Sequence, residues 1–248
     1  MKLDSDRTQT VKRFFGNLKI FADGADKQGL LEMNDHPLIS GMTTNPSLMR
    51  KAGVTNYREF CKDILQSVTR KPISFEVFAD DLAQMESQAL EIATWGKNIY
   101  VKIPSITTEG RSTAPLIAKL SKAGIQLNVT AVFTTAQSIE IAQALRGGAP
   151  SYLSVFAGRI ADTGLDPMAF VSASVEICSA LEPKIEVLWA STREIYNLLQ
   201  AKQSGCSIIT VPNDILKKLN GIGKTPLEMC FDTVKTFKAD SEASKFTL

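Results

Sequence analysis

Short apolar segments recur along the chain at fairly even intervals, separated by stretches with helical periodicity. In the stretch 82–94, Leu82, Met85, Ala89 and Ile92 fall on one face of a helix. Apolar runs of about four to eight residues are typical of buried strands. The pattern predicts eight strands, at Leu18–Ala22, Leu38–Gly41, Ile73–Val77, Ile99–Ile103, Gln126–Val132, Tyr152–Ala157, Ile185–Ala190 and Ser207–Val211.

The segments with helical periodicity lie between these strands, at 56–69, 82–94, 111–123, 135–145, 167–181, 192–204 and 226–238. Strands that alternate with helices predict parallel βα units. Eight such units in a chain of 248 residues match the size of a TIM (β/α)8 barrel. A doubly wound sheet is the alternative, but no G-x-G-x-x-G follows the first strand. We therefore expect one barrel domain over 1–248, with a short polar tail at about 239–248.

Composition narrows the function classes. The formal net charge of +2 gives no reason to expect a nucleic-acid or membrane partner. The N-terminus has no apolar signal region, and no apolar run approaches the roughly 18 residues of a membrane span. The four cysteines lack metal-ligand spacing and are expected to be buried in a reducing cytoplasm, and His36 is the only histidine. We expect a cytoplasmic protein without a metal site or cofactor.

One charged residue interrupts the fourth predicted strand, in the sequence N-I-Y-V-K-I-P at 98–104. Lysine is rarely buried unless it is paired or functional, and Lys102 is surrounded by strand residues. A desolvated lysine has a lowered pKa, which makes its amine a nucleophile for Schiff-base chemistry. The alternative is an edge-strand lysine whose ammonium group reaches solvent.

Polar residues also occur in or just after most other predicted strands. The catalytic machinery of a TIM barrel lies at the C-terminal ends of its strands, so these residues are expected to share one site. Taken singly, each has another explanation, such as a helix cap, a turn or a solvated loop. The set comprises Asp23, Asn45, Glu76, Lys102, Asn128, Thr130, Ser154, Arg159, Ser191 and Arg193.

These residue types suit one reaction. Lys102 can form an imine with a ketone, and Asp23 is a candidate acid/base for carbon–carbon cleavage. Glu76 and Thr130 can hold the water that is exchanged when the imine forms and hydrolyses. The asparagines can bind substrate hydroxyls, while the two arginines with Ser191 form a candidate phosphate clamp.

Several motifs together resemble the transaldolases and the smaller fructose-6-phosphate aldolases. They are A-D-G-A-D (22–26), T-T-N-P-S-L (43–48), F-E-V (75–77), V-K-I-P (101–104), N-V-T-A-V-F (128–133), S-V-F-A-G-R-I (154–160) and A-S-T-R (190–193). The resemblance implies a (β/α)8 barrel with Lys102 as the Schiff-base lysine on strand 4. It implies catalytic roles for Asp23, Glu76 and Thr130, and substrate or phosphate contacts for Asn45, Asn128, Ser154, Arg159, Ser191 and Arg193.

The resemblance also bears on which reaction is catalysed. At the positions of Glu76 and Phe133, this chain resembles the transaldolases, which have Glu and Phe there. The small aldolases have Gln and Tyr at the same two positions. We therefore expect a transaldolase that acts on phosphorylated sugars without a cofactor, as a homo-oligomer. The alternatives are a fructose-6-phosphate aldolase and a non-catalytic barrel that binds sugar phosphates. Two features depart from the family pattern. Gly24 replaces the threonine that is usual in relatives, and P-S-I-T-T at 104–108 carries an extra residue relative to the usual P-V-T.

Overall fold

Eight parallel strands close into a barrel in the order β1 to β8, with β8 pairing back onto β1. The computed structural model describes residues 5–245. The prediction of a TIM barrel is therefore confirmed, and each predicted strand overlaps an observed one. The strands are β1 Lys19–Asp23, β2 Ile39–Thr43, β3 Ile73–Glu76, β4 Ile99–Pro104, β5 Leu127–Val132, β6 Ser151–Val155, β7 Ile185–Trp189 and β8 Ile208–Pro212.

Helices surround the barrel and cover the outward-facing apolar residues of the strands. Several begin at side-chain caps: the Asp81 carboxylate accepts from two backbone N–H groups, and Thr134 forms a capping box with Gln137. The described helices are α1 Ser5–Phe15, α2 Lys27–Asp35, α3 Pro46–Lys51, α4 Tyr57–Ser67, α5 Leu82–Ala93, α6 Ala114–Lys122, α7 Thr135–Leu145, α8 Ala157–Ala161, α9 Pro167–Leu181, α10 Asn197–Gln203, α11 Asn213–Leu216 and α12 Pro226–Ser244, with a 3₁₀ helix at Lys217–Gly221.

One predicted helix, at 192–204, begins later than its sequence pattern indicates. The chain after β7 stays irregular until α10 starts at Asn197. Side-chain bonds explain the delay: the Thr192 hydroxyl donates to the Thr210 carbonyl, and Asn197 Oδ1 accepts from the Arg193 and Glu194 N–H groups. These bonds compete with helix formation and hold the loop over the end of the barrel.

The barrel interior has two layers of different chemistry. The lower layer is apolar and includes the rings of Phe21, Tyr100 and Tyr152. The rings of Tyr100 and Tyr152 stack with their centroids 3.8 Å apart. Strand residues two positions apart face the same side, so Asp23 and Lys102 lie one layer above Phe21 and Tyr100. Most polar residues of the upper layer likewise follow apolar residues of the lower layer by two positions along their strands. The apolar layer therefore forms the floor of a polar site.

The last helix, α12, has a surface unlike that of the other long helices. It spans Pro226–Ser244, and none of its residues is buried. Leu227, Phe231, Val234 and Phe237 recur at helical spacing and are 57–67% exposed. Cys230 is also exposed, so the expectation that all four cysteines are buried is wrong. Much of the segment expected to be a polar tail continues this helix, and 246–248 lie outside the described residues.

Candidate active site

A cavity of about 450 Å³ opens at the C-terminal ends of the strands. This is the end at which TIM-barrel enzymes place their chemistry. All but two of the predicted site residues line it: Asp23, Asn45, Lys102, Asn128, Thr130, Ser154, Arg159, Ser191 and Arg193. The two exceptions, Glu76 and Phe133, each contact a residue that lines the cavity.

Lys102 lies on β4 and is only 8% exposed. Its Nζ lies 2.9 Å from Glu76 Oε2 and donates to the Thr44 carbonyl oxygen at 3.2 Å. Glu76 and Lys102 are register partners on neighbouring strands, which fixes the pairing of their side chains. Removing an ammonium group from water is unfavourable unless it is paired. The barrel therefore provides the carboxylate that makes a buried lysine tolerable, and the same carboxylate lies within reach of its proton.

Asp23 ends β1 at the edge of the cavity, where its Oδ1 accepts from the Thr43 hydroxyl at 2.7 Å. Desolvation raises the pKa of this carboxyl above its ordinary value, against the opposing effects of Lys102 and the Thr43 hydrogen bond, with a smaller contribution from the negative charge of Glu76. A carboxyl with a raised pKa is suited to exchanging protons with a substrate near neutral pH.

Three buried side chains form a hydrogen-bonded row across β3, β5 and β6. The Asn128 Nδ2 donates to Ser74 Oγ at 2.9 Å, and Ser154 Oγ donates to Asn128 Oδ1 at 2.6 Å. The Thr130 hydroxyl on β5 is buried and has no hydrogen-bond partner among the described residues. A buried hydroxyl without a partner is rare in a folded protein, and this one lies on the wall of the cavity.

The two arginines approach the cavity from the loops after β6 and β7. Arg193 is held by Asp162, with Nε donating to Oδ1 at 3.2 Å and Nη2 donating to Oδ2. Arg159 lies over the Phe156 ring, with its guanidinium carbon 5.3 Å from the ring centroid. Both arginines are exposed enough to receive a ligand. Together they give one side of the cavity a positive charge, as a phosphate site requires.

A close backbone contact fixes the two arginine loops against each other. A Cβ on Gly158 would overlap the Ser191 carbonyl oxygen, so glycine is required here. Ser191 itself has φ 65°, in the left-handed region that non-glycine residues seldom adopt. Strained backbone of this kind concentrates at functional sites. The contact places Arg159 and Arg193 on the same side of the cavity.

Asn45 and Phe133 were both expected to contact the substrate, and the structure shows other contacts for their side chains. The Asn45 side chain caps α3 by accepting from the Leu48 N–H at 2.9 Å, so it lines the cavity and begins a helix at the same time. The Phe133 ring packs against Phe156, with centroids 5.6 Å apart, and Phe156 is the ring that faces the cavity. Phe133 therefore contacts the apolar side of the site through Phe156 and is not part of the cavity lining.

Sequence reasoning missed several polar residues of this site. Thr43 and Thr210 line the cavity and bond to each other, while Ser74 receives the Asn128 amide. Neutral hydroxyl residues inside strands resemble ordinary strand formers, so their chemistry gives no signal in the sequence. The step of two residues from the apolar layer could have identified Thr210, which follows the buried Ile208 on the same face of β8.

A closed parallel barrel with a polar cavity at the C-terminal ends of its strands defines the class of (β/α)8 barrel proteins. Residues 20–247 match the family described as Transaldolase/Fructose-6-phosphate aldolase. The chain belongs to this family, as its motifs predicted, and the relationship supports an enzyme of the aldolase/transaldolase type.

Curated relatives agree with this assignment. The chain is 38% identical over 214 residues to a "Probable transaldolase" of Methanococcus maripaludis, covering 84% of this chain and 95% of the relative. Proteins with the same name from Thermoanaerobacter sp. (39% identity, covering 82% of this chain and 89% of the relative) and Dehalococcoides mccartyi (36% identity, 82% and 90%) also match. Within residues 5–245, no helix is both long and apolar enough to cross a membrane.

Proposed function

We propose that this protein is a class I transaldolase, which transfers a dihydroxyacetone unit between phosphorylated sugars through a Schiff base on Lys102. The observation that carries the proposal is the buried Lys102 ammonium group, which faces the cavity and pairs with Glu76 at 2.9 Å. A lysine buried this deeply does not serve to solvate the protein surface. Its amine is the nucleophile that imine chemistry requires. Donors such as fructose 6-phosphate or sedoheptulose 7-phosphate and acceptors such as erythrose 4-phosphate or glyceraldehyde 3-phosphate fit this reaction.

The first half of the reaction uses the carboxylate beside Lys102. Glu76 takes the ammonium proton, and the free amine attacks the substrate ketone to form a carbinolamine. Loss of water then gives the imine, and the unpartnered Thr130 hydroxyl is suited to binding that water. Asn128, held between Ser74 and Ser154, presents its amide where the hydroxyls of the bound sugar would lie.

The second half of the reaction breaks the carbon–carbon bond. Asp23 removes the proton from the C4 hydroxyl, the bond between C3 and C4 breaks, and its electrons pass to the imine to give an enamine. The aldehyde leaves, and an acceptor aldehyde enters the same position and is attacked by the enamine. Asp23 then returns its proton to the new hydroxyl. Arg159 and Arg193 would hold the phosphate during both steps.

The phenylalanine pair favours transfer over simple cleavage. Phe133 and Phe156 pack together beside the cavity and carry no hydroxyl. A dry apolar surface near the enamine disfavours its protonation and release, so the intermediate waits for an acceptor. The family also includes fructose-6-phosphate aldolases, and this feature is why we choose the transferase.

We also propose that the enzyme is a cytoplasmic homo-oligomer. The exposed apolar face of α12, formed by Leu227, Phe231, Val234 and Phe237, is a contiguous stripe of the kind that marks an interaction site. A second copy of the chain presents the same face at the same concentration and needs no further partner. The cytoplasmic location is supported by four free cysteines, one of which, Cys230, is exposed.

The decisive experiment is borohydride reduction in the presence of fructose 6-phosphate, followed by mass spectrometry of peptides. We expect a dihydroxyacetone adduct on Lys102 that is absent from Lys102→Arg, because arginine stays protonated and cannot attack a carbonyl. An adduct on another lysine would overturn the assignment. Binding of the sugar phosphate without any adduct would favour a non-catalytic barrel. Loss of trapping after treatment with EDTA would indicate a metal-dependent reaction instead.

A further inference from the structure

Asp23 and two threonine hydroxyls form a continuous hydrogen-bonded chain of three oxygen atoms across three neighbouring strands. Thr43 Oγ1 on β2 lies 2.7 Å from Asp23 Oδ1 on β1 and 2.5 Å from Thr210 Oγ1 on β8. Strand β1 lies between the other two strands, and Asp23 and Thr43 are register partners. Both threonines are buried, at 3% and 5% exposure. The backbone of three paired strands therefore fixes this arrangement.

The direction of the hydrogen bonds follows from counting protons. An ionised carboxylate can only accept, so the single Thr43 hydroxyl proton is donated to Asp23. Thr43 then has no second proton to offer, and the Thr210 hydroxyl must be the donor in the contact between the threonines. Hydrogen bonds that run in one direction along such a chain strengthen one another. Thr210 thereby acts on Asp23 without touching it.

We propose that Thr210 is a positioning residue which acts through Thr43 to hold the Asp23 carboxylate ionised and correctly oriented for proton transfer. The inference rests on the proposed function, in which Asp23 is the acid/base. Because Thr43 holds Oδ1, the other oxygen, Oδ2, is left to face the substrate hydroxyl. The backbone carbonyl of Thr210 is fixed as well, since it accepts from the Thr192 hydroxyl at 2.7 Å.

Other charges also act on Asp23, and the test must keep them constant. Lys102 on β4 favours its ionised form, and Glu76 on β3 opposes it. Neither residue bonds to the two threonines, so changes at 43 or 210 leave the lysine–glutamate pair in place. The remaining charged groups that line the cavity are Lys51, Arg159, Arg193 and Asp214.

The test is the pH dependence of kcat/KM for transfer from fructose 6-phosphate to erythrose 4-phosphate. Thr43→Val removes the bond to the carboxylate and keeps the side-chain shape, so the acidic limb should move up by about one pH unit. Thr210→Val should move the limb in the same direction by less, because Thr43 can still donate. Thr210→Ser retains a hydroxyl and should restore the wild-type limb. The KM for the donor should change little, with the loss appearing in kcat at low pH.

A matched control is available outside the barrel. Ser138 on α7 and Ser174 on α9 form another buried hydroxyl pair, with their Oγ atoms 2.8 Å apart. Ser174→Ala should leave the pH profile unchanged. Borohydride trapping on Lys102 in each variant separates the two hypotheses, because failed trapping in the wild type overturns the proposed function itself. Intact trapping with an unmoved acidic limb in Thr210→Val would overturn the role of Thr210, whatever Thr43→Val does. A larger shift for Thr210→Val than for Thr43→Val would overturn the proposed direction of the chain.

Discussion

Glu76 and Lys102 lie directly opposite each other on β3 and β4, and Glu76 Oε2 is 2.9 Å from Lys102 Nζ. Both side chains are largely buried, with 19% and 10% of their surfaces exposed. A buried pair of this kind is no evidence of stability, since desolvation offsets much of its attraction. Lys102 lines the cavity, and Glu76 contacts it there. This position indicates a chemical use, in which the carboxylate receives the proton that the amine must lose.

Glu76→Gln tests that use, because it keeps the side-chain shape and removes the charge. We expect the rate of imine formation at pH 7 to fall about 100-fold, within the usual range for general acid–base catalysis. The deficit should shrink at pH 9, because the higher concentration of hydroxide can replace the carboxylate as the proton acceptor. Rapid-quench borohydride trapping measures the rate. Glu186→Gln is the matched control, since Glu186 pairs with Lys19 at 2.6 Å near the N-terminal ends of β7 and β1. A deficit equal at both pH values would contradict the proton-acceptor role.

Arg193→Ala tests the phosphate clamp. Charge-assisted hydrogen bonds contribute about 1.5–3 kcal/mol, so kcat/KM for phosphorylated donors should fall roughly 10- to 150-fold. With unphosphorylated dihydroxyacetone as the donor, kcat/KM should fall much less. Arg58→Ala is a suitable control because Arg58 forms a similar forked pair with Glu91 on the outer surface. Equal losses on both donors would mean that Arg193 has a structural role only.

The pairing of Arg193 with Asp162 shows what the sequence could and could not predict. Strand periodicity placed Lys102 on β4 and both arginines at strand ends, because apolar alternation and turn residues are local signals. The partner of Arg193 lies 31 positions away, and no local pattern reveals it. The same limit applies to Thr43 and Thr210, which only barrel closure brings together.

Two helix boundaries also differ from those that the sequence predicted. The periodicity of 192–204 predicted a helix throughout. The first part stays irregular because the Thr192 hydroxyl donates to the Thr210 carbonyl, and because Asn197 Oδ1 accepts from the Arg193 and Glu194 N–H groups. The polar composition of 239–248 suggested a tail, although much of it extends α12. At 192–204, local propensity competes with the contact between Thr192 and Thr210, which the sequence does not display.

Asp23→Asn should stabilise the protein at neutral pH while it abolishes transfer. Folding raises the pKa of the Asp23 carboxyl, mainly by desolvation. Below the unfolded pKa of about 3.9, both states hold the proton and the substitution gains nothing from charge. As pH rises through the folded pKa, the wild type loses stability that the asparagine variant keeps.

Thermal melts measured by circular dichroism check the stability change. At pH 7 the variant should melt at a higher temperature, by about 2–4 °C for each kcal/mol, and the difference should narrow towards pH 4. Asp240→Asn, on the exposed surface of α12, controls for the general effect of removing a carboxylate. A variant that melts below the wild type at pH 7 would mean that the Asp23 charge is favourable to folding.

The apolar face of α12 predicts a measurable change in assembly. Phe231→Glu combined with Phe237→Glu places two charges on a face that the homo-oligomer would bury, which strongly disfavours association. Light scattering after size exclusion should show smaller particles at micromolar concentration. Thr236→Glu, on the opposite face of the same helix, should leave the assembly unchanged. A wild type that is monomeric at all concentrations would refute the oligomer.

The final prediction separates transfer from net cleavage, and it concerns the ring that packs against Phe156. Phe133 lies with its centroid 5.6 Å from that of Phe156, and Phe133→Tyr adds one hydroxyl to this apolar pair. A phenol beside the cavity wall can hold a water molecule there, and that water can protonate the enamine. We therefore expect the variant to release more free dihydroxyacetone from fructose 6-phosphate and to transfer less.

Release is measured enzymatically with and without erythrose 4-phosphate. The wild type should transfer much faster with an acceptor than it releases dihydroxyacetone without one, and the tyrosine variant should narrow that ratio about tenfold, equivalent to about 1.4 kcal/mol. Phe14→Tyr, at an exposed ring on α1, controls for an added phenol elsewhere. A wild type that releases dihydroxyacetone without acceptor as fast as it transfers would be an aldolase, because its enamine would be protonated before any acceptor could arrive.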